Sequence, residues 1–358
     1  MNPEFEPSRL FDKLGEVLAG RPPVSAFALF GSRARGDNFD ESDYDILVAD
    51  ARNLSSVFLE RIELEGESVD LVHVPLSWLA KQIPYELDQM IYESIILADR
   101  DGILTSAQKW IRKYNYEPAR ISGRVGEILL KSDVLLSRAS SALSRLDYES
   151  CVMHSKLAEI ESSRALLEMS RIPYQPSRLA ELLKSAPCKT GIDRVIPPAD
   201  KAENARKCLE DILQTVAGSA KKRQRPPPES AEHAWVAAYF ASDDFLRRNA
   251  KLVDNLMAQN RLQDVVLYSQ INSYKVLEAY QVIKKLEAMA DFVTVIRQIR
   301  GKTDPESARL YGAARSLYDI RDPTKQEAAE ALQQARAYSN QLKRLRTFGD
   351  LEPRGRKA

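Results

Sequence analysis

Asp43 and Asp45 stand two residues apart where the chain passes from a polar stretch into the apolar run Tyr44-Asp45-Ile46-Leu47-Val48. Alternate residues of an extended strand project from one face, so this spacing aims both carboxylates the same way. Two carboxylates side by side repel, and at the edge of a buried strand they are costly unless a cation neutralises them. Their hard oxygens suit Mg2+ or Mn2+. A third acid, Asp70, stands in a similar context, Glu67-Ser68-Val69-Asp70-Leu71-Val72-His73-Val74. Upstream, Gly31-Ser32 closes the apolar run Val24–Phe30 and is separated from Asp43 by ten residues. Glycine lets a backbone come close to a ligand, and such turns point N–H groups at phosphate-like anions. Ser32 adds a short hydroxyl donor, and Arg33 and Arg35 can supply charge to phosphate oxygens. The chemistry read from these types and spacings is a divalent cation held by carboxylates beside a turn that takes an anion.

Those residues need a sheet to position them, and the first ~110 residues read as α/β. Leu10, Phe11, Leu14, Val17 and Leu18 form a helical stripe, with Ser8 as its N-cap and Gly20 as its stop. Three short runs rich in β-branched and aromatic residues follow as strands, at Val24–Phe30, Tyr44–Val48 and Val69–Val74. The segment 54–68 fits either a helix or a further strand. Residues 77–99 read as helical, and Asp101-Gly102 marks a tight turn.

From about Glu117 the apolar spacing becomes three and four over many turns, a helical hairpin broken at Asp147-Tyr148. The fold class expected is α+β: a mixed sheet flanked by helices, followed by an all-α region in one or two bundles. The domains expected are 1–116, a helical bundle at 117–218, a basic proline-rich linker at 219–230, a second helical unit at 231–348, and a basic tail at 349–358.

Composition bounds the function classes. The 358 residues are 44% hydrophobic and 29% charged, which suits a chain with real cores. No run of about 18 apolar residues occurs, so a membrane span is not expected. The N-terminal stretch is too acidic and polar for a secretory signal, and Cys151, Cys188 and Cys208 lack metal or redox spacing, so a reduced cytoplasmic setting is expected. A formal net charge of +1 hides a split: residues 1–110 carry 20 acidic against 10 basic residues, and the other 248 carry 31 against 42. That split fits either an anionic substrate held by the basic part or docking of the two parts on one another.

The stretch "GSRARGDNFDESDYDILV" resembles the DNA polymerase β-like nucleotidyltransferase superfamily, whose mark is Gly-Ser, a spacer, then Asp-x-Asp on a strand. The Ala-Arg-Gly after Gly-Ser and the Ser-Asp around the first acid are typical of its small prokaryotic members. The resemblance covers roughly residues 7–110. It implies that Asp43 and Asp45 bind two divalent ions, that Asp70 is the third ligand and the base for the attacking hydroxyl, and that Gly31 and Ser32 hold the β- and γ-phosphates of a nucleoside triphosphate, with ATP foremost. The reaction implied moves a nucleoside monophosphate to a hydroxyl acceptor and releases pyrophosphate, by in-line displacement between two metal ions. The acceptor is left open among a small molecule, a protein and an RNA end. The alternatives are an RNA- or tRNA-end nucleotidyltransferase, and a non-catalytic nucleotide-sensing module of the same fold.

The hairpin "DYESCVMHSKLAEIESSRALLE" resembles HEPN, the nucleotide-binding helical domain encoded beside such proteins. Ribonuclease versions of it carry Arg, four to six residues, then His. Here Arg145 and His154 are separated by eight, so the ribonuclease reading is not supported and His154 is expected to be a packed residue. A homodimer through the helical region is a further expectation. The basic clusters at 221–225 and in the C-terminal tail read as solvated ends ahead of nucleic-acid contacts.

Overall fold

The computed structural model describes residues 7–348, apart from 22–23, 40–41, 53, 223–238, 241, 284–294, 301 and 303. The chain divides into two compact units, Met1–Gly123 and Arg124–Ala358.

In the first unit, helix α1 (Pro7–Ala19) precedes strand β1 (Val24–Phe30), and a short helix α2 (Gly31–Arg35) leads to β2 (Tyr44–Asp50). Strands β3 (Phe58–Leu64) and β4 (Glu67–Pro75) follow as a hairpin. Helices α3 (Leu76–Ala80) and α4 (Asp88–Glu93), strand β5 (Ile95–Asp99) and helix α5 (Ile103–Tyr114) complete the unit. The sheet order is β3-β4-β2-β1-β5, mixed because β2 and β4 run parallel while the other neighbours are antiparallel. The three expected strands are present, and the undecided segment 54–68 supplies β3. Helix α1 begins at Pro7, one residue ahead of Ser8.

Residues 95–99, read as the end of a helix, are a strand instead. Pro84 interrupts the expected helix, and Ser94 ends α4 in an extended conformation (φ −67°, ψ 149°). The next residues pair with β1 at the sheet edge, Leu29 opposite Ile95 and Ala26 opposite Asp99.

Strand alternation sends one set of side chains to each face of the sheet. Ala26, Ala28, Leu47, Ala49, Val72 and Val74 pack with Leu79, Ile91, Leu104 and Ile111 from α3, α4 and α5, and with Leu87 from the turn just before α4. Phe27, Leu29, Ile46, Val48 and Leu71 pack against Leu10, Leu14 and Leu18 of α1. The stripe seen in the sequence is therefore the buried face of α1.

The second unit is helical. Its long elements are α6 (Pro118–Ser144, within which the division falls), α7 (Tyr148–Met169), α10 (Ala202–Lys221), α11 (Asp243–Ala258), α12 (Leu262–Ile283), α14 (Pro305–Leu317) and α15 (Lys325–Phe348), with short helices α8 (Leu179–Ser185), α9 (Ile192–Val195) and α13 (Val295–Arg300) between them. Asp147 caps α7, its side chain accepting from the Ser150 N–H, at the break expected there. Helix α7 packs against α15, and α10 packs against α12 and α14. The helical stretches on either side of residue 230 belong to one compact unit. The expected linker overlaps the end of α10 at 219–221, and its residues 223–230 lie outside the described residues, as does the tail at 349–358. Among the described residues no helix is long and apolar enough to cross a membrane. Cys151 and Cys208 are buried and unbridged, and burial pushes the Cys151 thiol up to about 11.

Candidate active site

Parallel pairing of β2 with β4 sets Asp45 opposite Asp70, and β2 pairs with β1 so that Asp45 also faces Phe30. Asp43 lies two residues earlier on the same side. The result is one cluster: Asp43, Asp45 and Asp70 each offer a carboxylate oxygen, and those oxygens lie within 4.8 Å of one another. The acids sit on the sheet face covered by α3–α5, at the strand ends where that core opens. Asp70 is only 9% exposed. Burial raises its pKa above the ordinary carboxylate value, the negative charge of Asp43 adds to the rise, and the Arg61 guanidinium opposes it.

Gly31 closes against this cluster. Its φ is +76°, in the left-handed region, and a Cβ on it would lie 2.3 Å from Asp45 Oδ2. Glycine is required here for both reasons. Its N–H donates to Glu93 Oε1 at 3.0 Å. The Ser32 hydroxyl, half-buried, makes no hydrogen bond among the described residues, and its carbonyl accepts from Gly36 and Asp37 at the end of α2.

The two arginines expected to meet an anion are engaged with the chain itself. Arg33 donates to the carbonyls of Ser42 (2.8 Å from Nε) and Asp43 (3.2 Å), and its guanidinium lies over the Tyr44 ring at 4.0 Å. It clamps the segment that enters β2 and so fixes where Asp43 sits. Arg35 pairs with Glu93 at 2.7 Å and with Asp37 at 3.2 Å.

Two participants escaped the sequence reading. Glu93, on α4, takes both the Gly31 N–H and the Arg35 guanidinium, and no pattern around it marks that role. Arg61 donates from Nε to Asp70 Oδ1 and from Nη2 to Asp70 Oδ2, both at 2.6 Å, and Nη2 also reaches Asp43 Oδ2 at 3.5 Å. Its signal was present in the turn: Glu65 and Gly66 have φ of 53° and 78°, the geometry of a two-residue hairpin loop. Counting outward from that loop brings Arg61 opposite Asp70.

A separate polar group lies on the other sheet face, towards the far ends of β2 and β4. His73 meets Asp50 (2.8 Å) and Glu60 (3.2 Å), Asp50 takes Arg52, and Glu60 takes Arg21. Burial works against the Asp50 carboxylate, but hydrogen bonds from Arg52 and His73 hold its pKa below the ordinary value. This group ties β2, β3 and β4 together. In the second unit His154 is 1% exposed, as a packed residue should be.

Three carboxylates with converging hard oxygens, Asp70 buried and Asp43 and Asp45 half-buried, fit a magnesium- or manganese-like ion, and the donor set holds no nitrogen or sulfur that would favour a softer metal. Residues 12–102 match the family described as "Polymerase beta, Nucleotidyltransferase". The solved structure of a nucleotidyltransferase-like protein from Exiguobacterium sibiricum 255-15 is similar at 15% identity over 75% of this chain and 79% of that one, with a TM-score of 0.35, a likeness too slight to carry an argument. No curated protein matches the chain. With the mixed five-stranded sheet and the Gly-Ser…Asp-x-Asp arrangement in place, residues 12–102 are a polymerase β-like nucleotidyltransferase domain, followed by a mostly helical region.

Proposed function

We propose that the first unit moves a nucleoside monophosphate from a nucleoside triphosphate, ATP foremost, to a hydroxyl acceptor. The convergence of Asp43, Asp45 and Asp70 at the joined ends of β2 and β4, beside a glycine that admits no side chain, carries this reading. The three carboxylates would hold two divalent ions, which when bound supply charge to the attacking and leaving oxygens. The acceptor oxygen forms a bond to the α-phosphorus, the bond from that phosphorus to the bridging oxygen breaks, and pyrophosphate leaves. Asp70, whose buried carboxyl favours protonation more than an ordinary one, takes the hydroxyl proton. On this reading the Ser32 hydroxyl donates to a phosphate oxygen of the triphosphate. Arg33 and Arg35 act at one remove, by fixing the segment before Asp43 and by holding Glu93 under Gly31.

The acceptor class is tested by incubating the protein with each α-labelled triphosphate, Mg2+ or Mn2+, and separate pools of RNA, protein and small metabolites. Label is expected in one pool and absent with Asp45→Asn. The basic balance after residue 110 supports an anionic acceptor, so label on RNA ends would select the RNA-end reading. Nucleotide binding with no label in any pool and no pyrophosphate would select a sensing module.

A further inference from the structure

Arg61 occupies an unusual place for a cation. It reaches from β3 into the cluster of carboxylates, takes both oxygens of Asp70 in a bidentate pair, and extends one nitrogen towards Asp43. The side chains concerned are largely withdrawn from water, Arg61 being 18% exposed and Asp70 12%. Three acids whose oxygens lie within 4.8 Å would repel strongly without a positive charge among them, and the guanidinium supplies one. A divalent ion that used Asp70 would share its oxygens with this guanidinium, and the two cations would repel at close range.

We propose, resting on the metal-dependent reading above, that Arg61 is an internal counter-cation that competes with the divalent ion for Asp70 and keeps the site's affinity for free metal low. A guanidinium displaced from Asp70 needs another anion. A triphosphate arriving with the ion provides one, so metal and nucleotide bind with positive coupling that passes through Arg61. The opposite role, Arg61 as a clamp that presents Asp70 to the metal, predicts the opposite sign for every effect of removing it. Arg61 is on this account a positioning residue that sets when Asp70 is available.

The test measures Mn2+ binding by calorimetry and by the electron paramagnetic resonance of free Mn2+, with and without a non-hydrolysable ATP analogue. It uses the full-length wild type, Arg61→Gln, Arg61→Lys and Asp45→Asn. Arg61→Gln should bind Mn2+ alone about tenfold more tightly than wild type, and the analogue should tighten Mn2+ less in it than in wild type. Arg61→Lys keeps the charge and should stay nearer wild type. Equal or weaker Mn2+ binding by Arg61→Gln overturns the proposal while leaving the metal reading intact. Failure of every protein to bind Mn2+, with or without the analogue, overturns the metal reading itself and this inference with it. Should Arg61→Gln not fold, the wild type still decides by NMR. The Arg61 Nε–H signal should shift on titration with Mg2+ plus the analogue, and an unmoved signal at saturation overturns the proposal.

Discussion

Gly31 and Asp45 meet so closely that the space between them has no room for a methyl group. Gly31→Ala adds that methyl 2.3 Å from Asp45 Oδ2 and forces a non-glycine residue into φ +76°. It should cost about 1–3 kcal/mol of stability and push the Asp45 carboxylate from its place. Chemical denaturation together with pyrophosphate release would check this, and a variant as stable and active as wild type would count against the tight approach. At this scale much of the site was legible. Asp43 and Asp45 are neighbours in sequence, and strand periodicity alone puts them on one face. Asp70 could be placed only through its context, since nothing local announces that β4 runs parallel beside β2. The partners of Arg33 and Arg35 were not legible, because sequence gives a charge but not the carbonyl or carboxylate that takes it. In both cases the chain's own groups came first.

Elements explain what the residues alone could not. Strands β1, β2 and β4 are continuous apolar runs because they lie in the middle of the sheet with both faces covered, and such runs stand out. Strand β5 is a five-residue edge strand that follows a helix after one serine, and periodicity cannot tell so short an apolar run from a helix end. Strand β3 is half-exposed and carries Glu60, Arg61 and Glu63, so its polar alternation left it undecided although the Glu65-Gly66 loop pointed to a hairpin. Helix α7 offers a test of its own. His154 Nδ1–H donates to the Ser150 carbonyl at 2.8 Å and its ring lies edge-on to Tyr274, centroids 5.9 Å apart. Burial pushes its pKa down to about 4 from the ordinary 6.5. The unfolded chain therefore takes up a proton between those values that the folded chain refuses, and stability falls as pH drops through that window. The loss due to this one group amounts to roughly 3 kcal/mol. Urea unfolding of wild type and His154→Gln at pH 7 and pH 4 should show a smaller acid loss in the variant. Equal losses would place His154 in a wetter setting than the fold gives it.

On the scale of the whole molecule, an acidic α/β unit that carries the carboxylates precedes a helical unit with an excess of basic residues. The acidic balance of the first unit suits chemistry in which bound cations neutralise both the site and its triphosphate. The helical unit was recognisable as helical from its periodicity. The sequence leaves one bundle or two open, because prolines and basic residues around 219–230 read as a boundary, and α10 packs against α12 and α14 from beyond it. Long-range packing of this kind leaves no local mark. The claim that joins the scales is that metal-dependent transfer runs through the β2 carboxylates. It is tested most directly by pyrophosphate release from each triphosphate with Mg2+ or Mn2+, in the presence of the acceptor pool that becomes labelled, comparing wild type with Asp45→Asn. Release by wild type is expected, with a fall of at least about a hundredfold in the variant and an unfolding curve for the variant no less stable than wild type. Undiminished release by a folded Asp45→Asn would contradict it.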